Sequence, residues 1–492
     1  MSIARNLGKD TLLYSAGKII PAVISFASIA IFTRLLEPEA FGRYQLIITA
    51  VAFLSAVLSS WLQQSVYRYL LEFKSNNKLG KFIATFFWLL LVVTATACIV
   101  AVLVYRFAPR EYRSLQIVGI VLLVSYLVYM NLQVVLQANL KAYIYSKYEI
   151  VRTVLFLFLG VALVYVNRSY ESLLLAMMIT YLLLSIVLAY RLDIFRAVRR
   201  FSFDPKVVKT MYLYGFPMFF WFLGSQVLGV SDRFLLEYFR GSAEVGIYAS
   251  NYNLMLSGIG LMTTPIMLAA HTNIMNPWSA GERERTRSMI VSTSYYYIMF
   301  TLPILLVTLL YGKEIASFAL GGKFREGYII LPIVLLGFLS NNFALFVQKS
   351  YELEKKTKLI AGFVIAAAVL NVGLNLYFIR AYGYLGAAIT TAVAYIFYLL
   401  LVSFGIGVSW KFEYPWMNLA KMGFSTICIF LILRWIKSFD GLNLYAALGG
   451  SFLAAYVFLI GILVLLRESY TVTLVSKLRG IIPSRLNYAK LK

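Results

Sequence analysis

Charge is scarce in this chain of 492 residues. Asp, Glu, Lys and Arg together make up 13% of it, whereas they make up roughly 25% of a soluble domain. Hydrophobic residues reach 61% and occur in long continuous runs. This composition excludes a soluble enzyme with one membrane anchor, a disordered chain and a nucleic-acid-binding domain. The continuous runs also exclude an outer-membrane barrel, whose strands would show short alternating segments.

Cysteine and histidine are nearly absent. The two cysteines, Cys98 and Cys428, lie in separate apolar runs, so we expect neither a disulfide nor a zinc site from them. The single histidine, His271, excludes histidine-rich metal transport. The sequence therefore predicts no metal centre, and it contains no nucleotide-binding motif that would indicate a cofactor.

Acidic residues are outnumbered by basic ones, 21 against 45, and the net charge is +24. In a soluble protein this excess would suggest a nucleic-acid partner. In a membrane protein, however, the cytoplasmic loops collect Lys and Arg. We therefore expect the lipid bilayer as the surroundings of the chain and no nucleic acid as a partner.

Long apolar runs are abundant, and a transmembrane helix requires about 20 such residues. The sequence predicts an all-α polytopic membrane protein with about fourteen transmembrane helices, numbered here as spans 1–14. The predicted spans are 11–33, 44–65, 82–105, 115–137, 151–167, 173–190, 210–231, 245–270, 289–311, 328–348, 359–379, 385–407, 418–436 and 444–466.

The orientation of the spans follows from the distribution of basic residues. With the N-terminus placed in the cytoplasm, 30 of the 45 basic residues fall in cytoplasmic segments, 14 in outer segments and Lys18 within a span. This bias predicts that both termini lie in the cytoplasm. The basic linker 191–209 and the amphipathic tail 467–492 are then expected at the cytoplasmic surface of the membrane.

The first two spans resemble spans 7 and 8. Each pair contains a glycine, a proline, an arginine at the end of a span, and a Gly-x-Tyr element, in the same order: Gly17, Pro21, Arg34 and 42–44, then Gly215, Pro217, Arg233 and 246–248. Both leading spans run outward, which predicts a parallel repeat about an axis normal to the membrane. The alternative is that any two outward helices ending in Arg look alike.

The repeat divides the chain into five parts. These are an N-terminal six-helix bundle, a basic linker, a C-terminal six-helix bundle, two additional spans and a cytoplasmic tail: 1–190, 191–209, 210–407, 408–466 and 467–492. Gly and Pro at matched positions of two halves are typical of a transporter's binding site. We therefore predict hinges at Gly17, Pro21, Gly215 and Pro217, with helix packing as the alternative role of each proline.

Three segments resemble a known family of transporters. Segment 32–46 reads FTRLLEPEAFGRYQL, segment 231–250 reads SDRFLLEYFRGSAEVGIYAS, and segment 370–395 reads LNVGLNLYFIRAYGYLGAAITTAVAY. In this order they resemble the polysaccharide flippases, of O-antigen or exopolysaccharide type, in the multidrug/oligosaccharidyl-lipid/polysaccharide (MOP) exporter superfamily. Together with the length and the number of spans, the resemblance covers nearly the whole chain.

The resemblance implies a fold and an activity. Spans 1–6 and 7–12 would form two bundles in a V around a central cavity, with spans 13 and 14 appended. The implied activity is transport rather than catalysis: moving a polyprenyl-pyrophosphate-linked oligosaccharide from the cytoplasmic to the outer leaflet of the bacterial inner membrane. A polysaccharide polymerase and other biosynthetic membrane proteins are implied as candidate partners.

Cations in or beside the spans are candidates to bind the pyrophosphate, because a charge within a bilayer is costly. Lys18 lies about 10 Å into span 1, at 1.5 Å per residue from Thr11. Its alternative role is to extend its side chain to the cytoplasmic interface. Arg34 and Arg233 end the two repeated spans and are predicted to form a cationic gate. Their alternative role is that of ordinary interfacial residues.

Two titratable residues are candidates for coupling to an ion. Asp232 could take up a proton or a sodium ion, or it could pair with Arg233 or another arginine. His271 lies at the cytoplasmic end of span 8 and has a suitable intrinsic pKa. Its alternative role is that of an ordinary loop residue.

Amide side chains within the spans are a weaker indication of a binding site than the charged residues are. Gln133 and Gln137 are four residues apart, as are Asn371 and Asn375, so each pair shares one face of a helix. We predict that both pairs line the cavity, and the alternative is that they bind helices together.

Three other functions compete with polysaccharide transport. A drug exporter of the same superfamily would place a carboxylate deep in its first bundle, where this chain has Lys18. A peptidoglycan-precursor flippase shares the fourteen spans, but segments 32–46 and 231–250 fit the polysaccharide branch better. A membrane glycosyltransferase or polymerase would need a large loop outside the membrane or an array of carboxylates.

Overall fold

The computed structural model describes residues 2–107, 116–139, 142–200, 203–408, 410–438 and 444–481. Within these ranges, every regular element is a helix. The helices are α1 Ser2–Leu35, α2 Pro38–Ser75, α3 Leu79–Phe107, α4 Gln116–Ala138, α5 Ala142–Val166, α6 Tyr170–Arg191, α7 Ile194–Arg200, α8 Pro205–Arg240, α9 Ser242–Ser279, α10 Arg283–Ala319, α11 Leu331–Val347, α12 Lys349–Leu353, α13 Thr357–Phe404, α14 Trp416–Lys437, α15 Leu444–Leu465 and α16 Ser469–Ile481. A 3₁₀ helix, Gly322–Ile330, precedes α11.

The number of membrane passes agrees with the sequence prediction. Among the described residues, eleven helical segments are long and apolar enough to cross a membrane. One of them, α13, breaks at Gly383 and supplies two passes. Helices α8 and α9, with 36 and 38 residues, are long enough for one pass each. Together these make fourteen passes, which confirms the predicted all-α polytopic fold.

Local chemistry explains where two of the long helices begin or break. Asp204 caps α8 by accepting a hydrogen bond from a backbone N–H of the first turn, and Pro205 takes the first helical position, where its missing N–H has no cost. The predicted spans 359–379 and 385–407 are joined as α13. The break between them is at Gly383, whose φ of 56° favours glycine because it has no Cβ.

Two bundles and an appended pair of helices make up the molecule. In bundle 1, α1 packs on α5, and α4 packs on α2 and α6; in bundle 2, α13 packs on α8 and α11, and α9 packs on α10. One buried core of aliphatic and aromatic side chains extends through both bundles. Helices α14 and α15 pack on α10 through a separate small core, which includes Met299, Met422, Ile429 and Leu459.

The two bundles meet closely at the N-termini of α2 and α9. A Cβ added to Gly42 would lie 1.8 Å from the backbone O of Ser242, and one added to Gly246 would lie 2.0 Å from the backbone O of Pro38. Each glycine therefore faces the residue four positions before the other, as a twofold axis between the bundles requires. These are the glycines of the two Gly-x-Tyr elements, so the contact fits the predicted parallel repeat.

Candidate functional site, a polar cavity between the bundles

A polar cavity of about 440 Å³ lies where α1, α2, α4 and α5 of bundle 1 face α8 of bundle 2; we call it the inner chamber. Among the described residues that line it, Lys18 is the one cation and Glu149 the one anion. The other polar residues of its wall are hydroxyls and amides: Ser55, Gln63, Tyr67, Tyr126, Gln133, Gln137, Tyr145 and Gln226. This lining offers donors, acceptors and aromatic faces.

Lys18 is positioned by a residue of α5. Its Nζ atom donates a hydrogen bond to the hydroxyl of Tyr145 over 2.9 Å and lies 5.3 Å from the centroid of that ring. The side chain is exposed to the cavity rather than sealed in the core. Lys18 is thus available to an anion that enters the inner chamber.

Glu149 lies in the wall of the inner chamber and was not among the residues predicted from the sequence. Its Oε1 atom accepts hydrogen bonds from the Tyr129 hydroxyl at 3.1 Å and from Gln133 Nε2 at 3.3 Å, while Oε2 accepts one from Arg152 Nη2 at 3.1 Å. The signal in the sequence is a Glu-x-x-Arg pair, which places both side chains on one face of a helix.

A second polar cavity has a volume of about 200 Å³ and includes residues of the C-terminal half of α1 and the N-terminal turns of α2. We call it the outer chamber, following the orientation predicted from the sequence. It is lined by Arg152, serine hydroxyls of α1 and α9, and amides from both bundles: Ser25, Ser28, Ser257, Gln45 and Asn253. Asn253 Nδ2 of bundle 2 donates to Gln45 Oε1 of bundle 1 over 3.2 Å. The outer chamber is therefore spanned by a polar contact between the bundles.

Beyond the outer chamber, the end of α1 is bonded to the end of α10. Arg34 Nη2 donates to the backbone O of Phe318 at 2.7 Å, and Thr33 Oγ1 accepts a hydrogen bond from the backbone N of Gly321 at 3.0 Å. A basic side chain at the C-terminus of a helix satisfies its free carbonyls and its dipole. Arg34 thus joins the end of α1 to the end of α10 in this structure.

The predicted hinge residues take part in close packing. A Cβ added to Gly17 would lie 2.1 Å from Ser146 Oγ, and one added to Gly215 would lie 2.1 Å from the backbone O of Trp61. Pro21 is buried within α1. The side chain of Pro217 lies outside the described part of the structure.

Asp232 lies at the centre of a buried polar cluster in bundle 2. Its Oδ2 atom accepts hydrogen bonds from the Tyr248 hydroxyl at 2.5 Å and from Thr391 Oγ1 at 3.4 Å. Its Oδ1 atom accepts a hydrogen bond from the backbone N of Arg233 at 2.7 Å, and the guanidinium of Arg233 lies 4.7 Å from the ring centroid of Tyr252. The carboxylate is therefore held by hydroxyl and backbone donors, and it also interacts electrostatically with Arg233.

The two asparagines of α13 belong to the same region of bundle 2. Asn371 Oδ1 accepts hydrogen bonds from Ser231 Oγ and from Asn375 Nδ2, each at 3.0 Å, and Asn375 Oδ1 accepts one from Thr390. Asn371 Nδ2 is buried without a partner among the described residues. Ser231 precedes Asp232 in the chain, so the carboxylate and the amides form one cluster.

Comparison with known proteins identifies the family. The family described as polysaccharide biosynthesis protein matches residues 7–271, which is more than half of the chain. The chain belongs to this family. A Shigella flexneri protein named as an O-antigen transporter is 21% identical over 411 residues, 80% of this chain and 96% of the relative. A low-salt glycan biosynthesis flippase of Haloferax volcanii is 21% identical over 227 residues, 45% of this chain and 47% of the relative.

Solved structures share the fold of this polysaccharide biosynthesis protein. The lipid II flippase MurJ in an inward closed conformation aligns with 96% of this chain and 100% of its own, with a TM-score of 0.74 and 16% identity. An inward-facing multidrug resistance transporter of the MATE family, in the MOP superfamily, aligns with 80% and 92%, with a TM-score of 0.57 and 16% identity. These likenesses confirm the predicted fold class, and they concern the fold alone.

The structure of this polysaccharide biosynthesis protein groups some predicted site residues and separates others. Three of them line the inner chamber: Lys18, Gln133 and Gln137. Three others form the buried cluster of bundle 2: Asp232, Asn371 and Asn375. Arg34 and Arg233 have different neighbours, and no described contact joins them. The backbone of His271 lies in α9, and its side chain lies outside the described part of the structure.

Proposed function

We propose that this protein moves a polyprenyl-pyrophosphate-linked oligosaccharide from the cytoplasmic to the outer leaflet of the bacterial inner membrane, for the synthesis of a cell-surface polysaccharide. The family, and the relatives named as an O-antigen transporter and a glycan flippase, support this class of cargo. The observation that carries the proposal is the inner chamber, in which amides and tyrosines surround one lysine between the two bundles.

Each part of the cargo has a matching part of the protein. The pyrophosphate requires a cation, and Lys18 supplies it through charge-assisted hydrogen bonds. The sugars require hydrogen-bonding groups and flat apolar faces, which the amides and tyrosines of the inner chamber provide. The polyprenyl tail remains in the lipid. Arg34 is bonded to α10 in this conformation, and opening of the outer end would free it to receive the pyrophosphate.

Movement of the cargo requires the outer end to open while the inner end closes. The contact between Gly42 and Gly246 and the bonds of Arg34 hold the outer end closed here. We propose that α1 and α8 bend near Gly17–Pro21 and Gly215–Pro217 during the exchange. Proline supports such a bend because it removes one hydrogen bond of the helix.

Coupling to an ion is assigned to the cluster around Asp232, with His271 as a second candidate. Asp232 is buried and accepts hydrogen bonds from Tyr248, Thr391 and the backbone N of Arg233, whose charge also interacts with the carboxylate. A buried carboxylate in this setting can bind a proton or a sodium ion, and either would remove the cost of its charge.

We expect Asp232→Asn to lose the stimulation of transport by a proton or sodium gradient, because the amide has a similar shape but no charge. Its Oδ1 atom can still accept a hydrogen bond from the backbone N of Arg233, and its Nδ2 group can donate to the neighbouring hydroxyls. The measurement is lipid flipping in proteoliposomes with and without each gradient. Asp193→Asn, an exposed aspartate of the cytoplasmic linker, is the matched control. A variant at position 232 that still responds to the gradient would contradict the assignment.

Deletion of the gene tests the proposed function. We expect viable cells that lack the surface polysaccharide and accumulate its lipid-linked precursor on the cytoplasmic side, with recovery when the gene is restored. Death of the cells through loss of peptidoglycan would support a peptidoglycan-precursor flippase instead. Unchanged polysaccharide together with greater sensitivity to drugs would support a multidrug exporter.

A further inference from the structure

Glu149 and Arg152 form a partition between the two chambers. Glu149 lines the inner chamber and Arg152 lines the outer chamber, and neither lines both. The two side chains are joined by a contact of 3.1 Å between Arg152 Nη2 and Glu149 Oε2. Each chamber therefore faces one end of the ion pair: the carboxylate on the inner side and the guanidinium on the outer side.

The lysine and the glutamate of the inner chamber lie at successive turns of α5, because Lys18 of α1 contacts α5 at Tyr145. Tyr145 binds Lys18, and Glu149 follows Tyr145 by one turn, about 6 Å along the helix axis at 1.5 Å per residue. This spacing is comparable with the length of one pyranose unit. A pyrophosphate held by Lys18 would therefore place the first sugar of the cargo beside Glu149.

Two hydrogen-bond acceptors lie in the wall at this level, the Gln133 Oε1 atom and the carboxylate of Glu149. Gln133 is only 3% exposed and donates Nε2 to Tyr129 and Glu149. Its Oε1 atom is buried and has no partner among the described residues. A buried polar atom without a hydrogen bond is unfavourable, so Gln133 Oε1 and the carboxylate of Glu149 together favour a ligand that brings donors.

We infer that the inner chamber binds the sugar attached to the pyrophosphate, and that Glu149 selects neutral or amino sugars there against acidic ones. This inference rests on the proposed function. Sugar hydroxyls and an ammonium group donate hydrogen bonds to Gln133 Oε1 and Glu149. A uronic acid in the same position would bring a second negative charge close to the carboxylate of Glu149. Repulsion between like charges disfavours the wrong ligand more strongly than the loss of one favourable contact does.

The test compares three probes in proteoliposomes: polyprenyl-diphosphate carrying glucose, glucosamine or glucuronic acid. Flipping is measured as the rate at which the sugar becomes oxidised by periodate, which does not cross the membrane. We expect the wild-type protein to flip the glucose and glucosamine probes at least about tenfold faster than the glucuronic acid probe, and a factor of ten corresponds to about 1.4 kcal/mol.

Glu149→Gln keeps an acceptor for Arg152 and removes the negative charge. We expect this variant to flip the glucuronic acid probe faster, so that the ratio between neutral and acidic probes falls below about threefold. The matched control is Glu284→Gln, which alters a Glu–Arg pair of the same spacing whose carboxylate side chain is 85% exposed. This control is expected to keep the wild-type ratio.

Equal rates for the three probes in the wild-type protein would overturn the inference, and this comparison requires no variant to insert or fold. A Glu149→Gln protein that loses activity uniformly and keeps the wild-type ratio would also overturn it, because it would show a structural or coupling role. Failure of the wild-type protein to flip any of the probes would count against the proposed function itself.

Discussion

Lys18 is the residue on which binding of the pyrophosphate is expected to depend. Two unit charges 4 Å apart attract by about 4 kcal/mol at an effective dielectric constant of 20, against about 1 kcal/mol in water. Lys18→Ala should therefore reduce export by about ten- to a thousandfold, at 1.4 kcal/mol per factor of ten. Lys18→Arg should retain much of it. The measurement is surface polysaccharide per unit of membrane-inserted protein.

Lys81→Ala provides the control for this prediction, since Lys81 is an exposed lysine of α3 outside both chambers. If Lys18 only extends to the cytoplasmic interface, Lys18→Gln would behave like the wild type. Export at the wild-type level by both Lys18→Ala and Arg34→Ala would contradict a role of these cations in binding the cargo.

Some residues of the candidate site could be predicted from the sequence and others could not, and the difference has a physical reason. Lys18 was predictable because an isolated charge interrupts an apolar run. Glu149 was not, because span 5 was predicted to begin at residue 151, whereas α5 begins at Ala142. Arg152 lies at the start of that predicted span and was counted among the basic residues of the cytoplasmic side. The first turns of α5 are polar because they face the chamber, so hydropathy assigned them to a loop. The hydrogen bond between Asp232 and Tyr248 could be identified only from the coordinates, because the sequence places Arg233 beside Asp232 and Tyr248 sixteen residues away.

At the scale of elements, the crossing of α2 and α9 is expected to control closure of the outer end. A Cβ at position 246 would clash with the backbone O of Pro38, and overpacking typically costs about 1–3 kcal/mol. Gly246→Ala should therefore increase the accessibility of a cysteine placed at Ser28, in the outer chamber, by about five- to a hundredfold. The measurement is labelling by an impermeant maleimide in a variant without the two natural cysteines.

Gly258→Ala is the matched control for this crossing, because it lies on the same helix and a Cβ there would meet no atom within 4 Å. This variant should be labelled at the wild-type rate. Labelling that is unchanged by Gly246→Ala would show that the glycine contact does not hold the outer end closed.

The attachment of α16 depends on the residue before it. Burial would raise the pKa of Glu468, but hydrogen bonds from Thr471, Tyr470 and Asn418 outweigh it and lower the pKa below its usual value. A lowered pKa means that the carboxylate stabilises the docked helix at neutral pH and that this stabilisation is lost as the pH falls through the pKa of the folded state. Docking should therefore weaken in acid.

Limited trypsin digestion of inside-out membrane vesicles measures this docking through cleavage after Lys477. We expect Glu468→Ala to be cut faster than the wild type at neutral pH, because the first backbone N–H groups of α16 lose their acceptor. The difference between the two proteins should shrink in acid. Equal cleavage at neutral pH would contradict the role of Glu468 as the cap.

The elements themselves were largely predictable, and their contacts were not. Hydrophobic runs of about 20 residues locate the spans well, because a helix of this length is needed to cross the apolar core of a bilayer. The repeated Gly-x-Tyr elements indicated a duplication, but only the coordinates show Gly42 and Gly246 in contact with each other's helix. Hydropathy separated spans 11 and 12 at segment 380–384, and α13 breaks within that segment, at Gly383.

At the scale of the whole molecule, the two bundles are joined by contacts between the end of α1, the start of α2 and the end of α10, and the proposed mechanism requires these contacts to open. Besides the bonds of Arg34, Lys323 Nζ of bundle 2 lies 2.6 Å from Glu37 Oε1 of bundle 1, and both side chains are more than 60% exposed. This pair contributes little binding energy, because surface ion pairs are typically worth about 0–1 kcal/mol. Because the two residues belong to different bundles and lie close together, cysteines at these positions can link the bundles by a reversible cross-link.

A cysteine pair at Glu37 and Lys323, in a variant without the natural cysteines, tests rocking of the bundles most directly. Flipping of a polyprenyl-diphosphate glycan is measured in proteoliposomes before cross-linking, after cross-linking and after reduction. We predict that the cross-link stops flipping and that reduction restores it, whereas a control pair at Glu39 and Arg43, within α2, has no effect. Flipping at the full rate with the Glu37–Lys323 link intact would contradict the account.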